Sequence, residues 1–206
     1  MSIYLICYNN GMSENLSDLQ ESISFRGRIG EIVNTEQSDG RFFERYRRPP
    51  GTRLIIVSPE NQILLTKEYR HEAGGVDLRL PGGKVCDTIE SYHELLSSGR
   101  DITEAATEAA KKEALEETGL IVNNLELVTV AKVGATVEWD LYYFIVRDYE
   151  THTGGQQLEA GEDIEVTWVS PDEIVEAIMK GHMNEWRSVG VILGLVLPSI
   201  KVGEKL

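Results

Sequence analysis

Cysteine is scarce. Cys7 and Cys86 are the only two in 206 residues, which excludes a disulfide framework and points to a reducing compartment. Basic side chains are outnumbered, 20 Lys and Arg against 34 Asp and Glu, for a formal charge of −14. A chain of that sign repels a phosphate backbone, so a nucleic-acid polymer is excluded as partner. Small phosphate compounds remain open, because a bound cation can bridge acid to phosphate. Long apolar runs are missing too. The longest near the C-terminus, residues 189–197, is far too short to span a bilayer, and the run at residues 1–8 has no basic residue ahead of it, as a signal peptide requires. These absences imply a soluble, cytoplasmic protein with no membrane partner. The four histidines show no metal-ligand spacing, and there are no internal repeats.

What is present suffices for a core, since 41% of the residues are hydrophobic. Turn chemistry at Ser38-Asp39-Gly40 predicts a β-hairpin of residues 30–35 and 41–47. Pro49-Pro50-Gly51 breaks it and marks a boundary between an N-terminal extension, residues 1–50, and a main domain, residues 51–206. Short apolar strands follow at 54–57, 63–69 and 76–80, the first two joined by a turn at 59–62. Residues 89–96 form a short helix. The clearest helix runs from Thr103 to Thr118, capped by Asp101 and ended by Gly119. Strands at 125–133, 141–146 and 164–169 precede a helix capped by Ser170-Pro171 and a last helix, 185–197, that Pro198 stops. Alternating strands and capped helices predict an α/β (α+β) fold, an α/β/α sandwich around a mixed sheet with the hairpin as an extension.

The helix from Thr103 carries Glu113, Glu116 and Glu117, spaced i, i+3, i+4 and so on one face. Three carboxylates there repel one another unless positive charge sits between them. Oxygen-rich clusters of this kind suit hard divalent cations. A solvated acidic helix face is the plain alternative.

The flanks favour the cation. The helix reads Glu104-x7-Lys112-Glu113-Ala114-Leu115-Glu116-Glu117-Thr118-Gly119-Leu120, behind Leu80-Pro81-Gly82-Gly83. This resembles the Nudix box, G-x5-E-x7-R-E-U-x-E-E-x-G-U with U apolar. Two departures stand out. Twenty residues separate Gly83 from Glu104 where the motif has five, an inserted segment, with Gly99 a weaker alternative for the motif glycine. Lys112 replaces the motif arginine, keeping the charge and losing the bidentate fork. Lys67-Glu68-Tyr69-Arg70, the acidic loop at 162–166 and the hairpin before the core are similar to the ADP-ribose pyrophosphatase, or nucleoside diphosphate sugar hydrolase, branch.

The resemblance implies metal-dependent hydrolysis of the pyrophosphate linkage in a nucleoside diphosphate conjugate, ADP-ribose or a related nucleotide sugar. GDP-mannose, dinucleoside polyphosphates and coenzyme A stay open. It implies Mg2+, with Mn2+ as alternative, on Glu113, Glu116, Glu117, the Gly82 carbonyl and Glu162. Glu162 is the first candidate for general base, with Glu159 and Glu116 as further catalytic candidates. Glu104, Lys112 and Gly83 take supporting places. Arg70, and Arg47 and Arg48 from the basic hairpin, are candidates for binding the small nucleotide-conjugate substrate. The hairpin also implies a homodimer. The competing class is a catalytically silent Nudix domain that binds ADP-ribose-like ligands. Silent domains commonly lose one of the acids, and here all are present.

Overall fold

A computed structural model describes residues 20–71 and 73–202. Cys7 and the apolar run at residues 1–8 lie outside them. The central layer is a three-stranded mixed sheet in the order β4 (Gly51–Ile56), β9 (Leu141–Thr151), β7 (Leu120–Ala131). β4 runs parallel to β9, and β7 antiparallel to it. Every residue of β4 is buried, as expected of a strand covered on both faces. Leu54, Ile56, Tyr142 and Phe144 pack on Ala106 and Ala110 of α2 (Ile102–Glu113) and on Ala114 just beyond it. On the opposite face Ile55, Val57, Tyr143 and Ile145 meet Ile174, Val189 and Ile192 from α3 (Pro171–Met179) and the C-terminal helices. That is the expected α/β/α layering. No helix among the described residues is long and apolar enough to cross a membrane.

A second, antiparallel sheet has the order β10 (Glu165–Val169), β5 (Ile63–Arg70), β6 (Gly75–Arg79). The expected pairing of the strands at 54–57 and 63–69 shrinks to one bridge, Val57 with Ile63. Each strand has a longer partner elsewhere, so the two diverge into different sheets. A third sheet joins β1 (Gln20–Arg26), β2 (Glu31–Glu36), β3 (Phe42–Arg47) and the short β8 (Val137–Glu138). The hairpin falls within a residue of its expected place. β1 was not legible in the sequence: its pairing with β2 shifts register between Ile23 and Phe25, and a bulge blurs alternation.

The C-terminal helix also departs from expectation. α4 (Trp186–Val191) passes through a π-helical turn, Ile192–Val196, into α5 (Leu197–Val202), so Pro198 lies inside the helical run. Proline in a regular helix collides with the carbonyl four residues back. Here Leu197 N–H reaches back five residues to Ile192 O, and the wider turn accommodates the ring.

Ion pairs knit the N-terminal sheet together and tie it to His93 of the inserted segment. Glu31 is fully buried and faces Arg26 (2.8 Å), Arg47 (3.4 Å) and His93 (3.0 Å). Arg47 also pairs with Glu138 (3.0 Å) and Glu21 (2.9 Å), and Arg45 with the same two acids. Arg47, expected at the substrate, is here paired within its sheet and is not among the residues lining the main cleft. Its donors are spent on three carboxylates of its own sheet. Removing it leaves Glu31 buried with fewer counter-charges, so Arg47→Ala should lower stability by about 2 kcal/mol or more, measured by urea denaturation.

Candidate active site

The site begins with two glycines. The turn after β6 lies across the start of β4: Leu54 N donates to Pro81 O (2.8 Å) and Thr52 N to Gly83 O (2.9 Å). Gly82 sits at φ +140°, and a side chain there would strike the Thr52 carbonyl. Only glycine fits. Its N–H is left pointing at Glu117 Oε2, 2.8 Å away. A side chain on Gly83 would occupy the space of the Glu113 carboxylate. The glycine pair thus makes room for two acids.

Those acids come from the end of α2. Asp101 caps the helix by accepting from Thr103 N (2.6 Å). After Glu113 the winding changes to a π-helical turn, Ala114–Thr118, closed by Gly119 at φ +70°. Single π turns recur at functional sites. Glu113 and Glu117 face the glycine turn, while Glu116 pairs with Lys112 (2.9 Å). Lys112 is largely exposed and reaches Glu116, as a point contact in place of a fork. Glu104 stands exposed on the first turn of α2 and does not line the cleft.

Burial pushes the Glu117 carboxyl up to about 8, against the Gly82 N–H and the Arg53 charge that favour ionisation. Burial likewise raises Glu113 to about 6, with Glu116 and Glu162 adding to the rise and Lys112 opposing it. The rise, larger at Glu117 than at Glu113, marks a place short of positive charge. No three His, Cys, Asp or Glu among the described residues stand together closely enough to enclose an ion as placed. The donor set nevertheless fits a hard divalent cation: it is all oxygen, and a cation would take the place of the retained protons.

The loop after β9 supplies the other acids. Glu159 and Glu162 are exposed on the cleft wall, with Glu159 N donating to Glu162 Oε2 (2.9 Å). Glu162 is near enough to raise both Glu113 and Glu117, whereas Glu159 acts on Lys112. The near half of this loop is pinned. Gln156 Nε2 donates to Glu117 O (2.5 Å) and Ile164 O (3.0 Å), and Gln157 N to Glu116 O (2.9 Å). These bonds satisfy carbonyls that a helix end leaves orphaned. The two glutamines carried no signal in the sequence, because their partners are met only in space.

These elements wall a cleft of about 810 Å³, the size of a small-ligand site. The inserted segment is ordered as α1 (Ile89–Ser97), capped by Thr88, and contributes Ser91 and Leu95 to the wall. Arginines line the cleft as well. Arg70 pairs with Glu68 and lines the cleft. Arg48 lies 4.1 Å from the centroid of Trp139, which Arg187 also approaches at 4.2 Å. Arg53, on β4, was missed by the sequence reading, hidden beside a run of apolar strand residues. It is 9% exposed and lines the cleft.

Comparison with known proteins agrees with this geometry. The model of the NUDIX domain family matches residues 47–188. A GDP-mannose pyrophosphatase from Enterobacter sp. (strain 638) is 25% identical over 169 residues, covering 78% of this chain and 77% of that protein. The crystal structure of an ADP compounds hydrolase superposes with a TM-score of 0.60 over 90% of this chain and 97% of that one, at 17% identity, a likeness in fold.

The raised carboxyls set a pH dependence. A group whose folded pKa exceeds its unfolded one stabilises the fold below the unfolded value and loses that contribution as pH climbs through the folded value. The metal-free protein should therefore lose stability between about 4.5 and about 8. Glu117→Gln should flatten the upper part of that decline, as read from thermal melts in chelator across the range.

Proposed function

The chain belongs to the Nudix family, and from that membership we propose that it hydrolyses the pyrophosphate linkage of a nucleoside diphosphate conjugate, ADP-ribose or a related nucleotide sugar. The observation that carries the reading is the pair of desolvated carboxyls, half-buried Glu113 and buried Glu117, set against Gly82-Gly83 in a cleft that arginines also line. The names of the similar proteins, a GDP-mannose pyrophosphatase and an ADP compounds hydrolase, support that substrate class.

Glu113, Glu116, Glu117 and Glu162 would hold Mg2+ or Mn2+, with the Gly82 carbonyl. Such an ion, when bound, neutralises the diphosphate and makes a water more acidic. The remaining work falls to the chain. Arg70 and Arg48 draw the diphosphate onto the wall facing the acids. Glu162, whose charge acts on Glu113 and Glu117, takes the proton of the attacking water where it is not itself a metal ligand, with Glu159 as the alternative base. Water oxygen bonds to one phosphorus, the bridging oxygen leaves with the other phosphate, and two monophosphates result. Gly83 supports by leaving space for Glu113, and Lys112 by holding Glu116.

The test is phosphoester release from ADP-ribose, GDP-mannose, diadenosine polyphosphates and coenzyme A, with magnesium and with excess chelator. Hydrolysis should need the cation. Glu117→Gln should cut turnover at least about 100-fold while substrate still binds. Activity in chelator would sink the reading, and tight ligand binding without turnover in the intact protein would favour the silent-domain alternative.

We further infer a homodimer formed by the N-terminal sheet. Phe25 on β1 and Phe42 on β3 are 62% and 61% exposed, apolar rings left uncovered on the single chain. The chain should run as a dimer in light scattering, and Phe25→Glu with Phe42→Glu should give monomers. A wild-type monomer would end this inference.

A further inference from the structure

Among the described residues, Arg53 has no carboxylate within ion-pair distance. It is nine-tenths buried beside Tyr143, its register partner on β9. Nη1 donates to the adjacent Thr52 carbonyl at 2.8 Å, and Nε has no partner. Two carboxylates lie in its field, Glu185 and Glu117, and both are engaged elsewhere. Glu185 accepts from Tyr143 OH (3.1 Å), Ser188 N (2.9 Å) and Arg187 Nε (3.1 Å). Glu117 accepts from Gly82 N. Isolated burial of a guanidinium is costly, and proteins tolerate it where an anion arrives to compensate.

The position says which anion. Arg53 lines the same cleft as Glu113 and Glu117, one residue along β4 from Thr52, whose N–H is bonded to Gly83. A cation bound by the carboxylates is repelled by the guanidinium. A diphosphate is attracted to both, and its several oxygens can serve both at once. The guanidinium fork matches phosphate oxygens where a single ammonium makes one point contact.

We propose that Arg53 binds a phosphate oxygen of the substrate's diphosphate from the floor of the cleft, as a substrate-binding residue distinct from Arg70 and Arg48; this rests on the hydrolase reading above. The arginine is then held unpaired by the fold so that the substrate completes it. A residue that served only to neutralise Glu117 would be needed in the empty protein. A residue awaiting phosphate is a burden there and an asset when the cleft fills.

The test uses methylenediphosphonate, a phosphorus–carbon–phosphorus probe that is not hydrolysed, titrated calorimetrically into the full chain with magnesium. Wild type should bind both magnesium alone and the probe. Arg53→Met should bind the probe roughly 10- to 100-fold more weakly, and Arg53→Lys less weakly than that. Magnesium binding without the probe should be at least as tight in Arg53→Met, and its melting temperature unchanged or higher, since an unpaired buried charge is gone. Probe affinity in Arg53→Met within about twofold of wild type overturns the proposal, because a lost charge-assisted bond costs more than that. So do melting temperatures lowered in both variants with an undiminished rise on adding the probe, which would make the arginine structural. A wild-type chain that binds neither magnesium nor probe defeats the hydrolase reading itself, a result told apart by needing no variant.

Discussion

The site depends on one constraint: two carboxylates, one half-buried and one buried, are held against the glycine turn where solvent reaches them poorly. Gly82 and Gly83 create the space, the π turn brings Glu117 into it, and desolvation raises the affinity of both acids for positive charge. The cost falls on the fold. A chain selected for stability alone would place apolar residues there, since buried charge rarely outcompetes a good hydrophobic fit. The rest of the molecule compensates, with β4 fully buried between two apolar layers and the N-terminal sheet clamped by Arg45, Arg47 and Glu31.

Much of this was legible in the sequence, for reasons that can be named. The box helix, the α3 cap at Ser170-Pro171 and the hairpin rest on local chemistry: capping side chains, turn residues, period. Such signals survive tertiary context, and the structure bears them out at Asp101 and Ser170. The layered fold followed from apolar strands alternating with capped helices. What escaped was either non-local or irregular. The sequence cannot say that the strand after the Pro59 turn leaves its neighbour for another sheet. Neither π turn has a pattern of its own, and one of them lets Pro198 continue a helix that proline was expected to stop.

The arginines show the same division. Charge and aromatic clustering in the hairpin pointed to a nucleotide for Arg47, and the nearer acids of its own sheet claim it instead. Arg53, at the start of a strand that reads as core, drew no notice, yet it lines the cleft with no ion-pair partner among the described residues. Side chains are assigned by what lies beside them once the sheets close, and cross-sheet neighbours are invisible to spacing.

The inserted helix α1 has a consequence for how such a protein can diverge. It enters between the glycine turn and the box helix and leans on the N-terminal sheet, with Ile89 N on Arg28 O at 2.9 Å and His93 on Glu31 at 3.0 Å. One face of it forms part of the cleft, while none of the acids at the end of α2 belongs to it. A lineage can therefore lengthen, shorten or recompose this stretch and so refit the contour offered to a ligand, leaving the box glutamates untouched. The segment inside the motif thus adds to the cleft wall while staying separate, by covalent position, from the box glutamates.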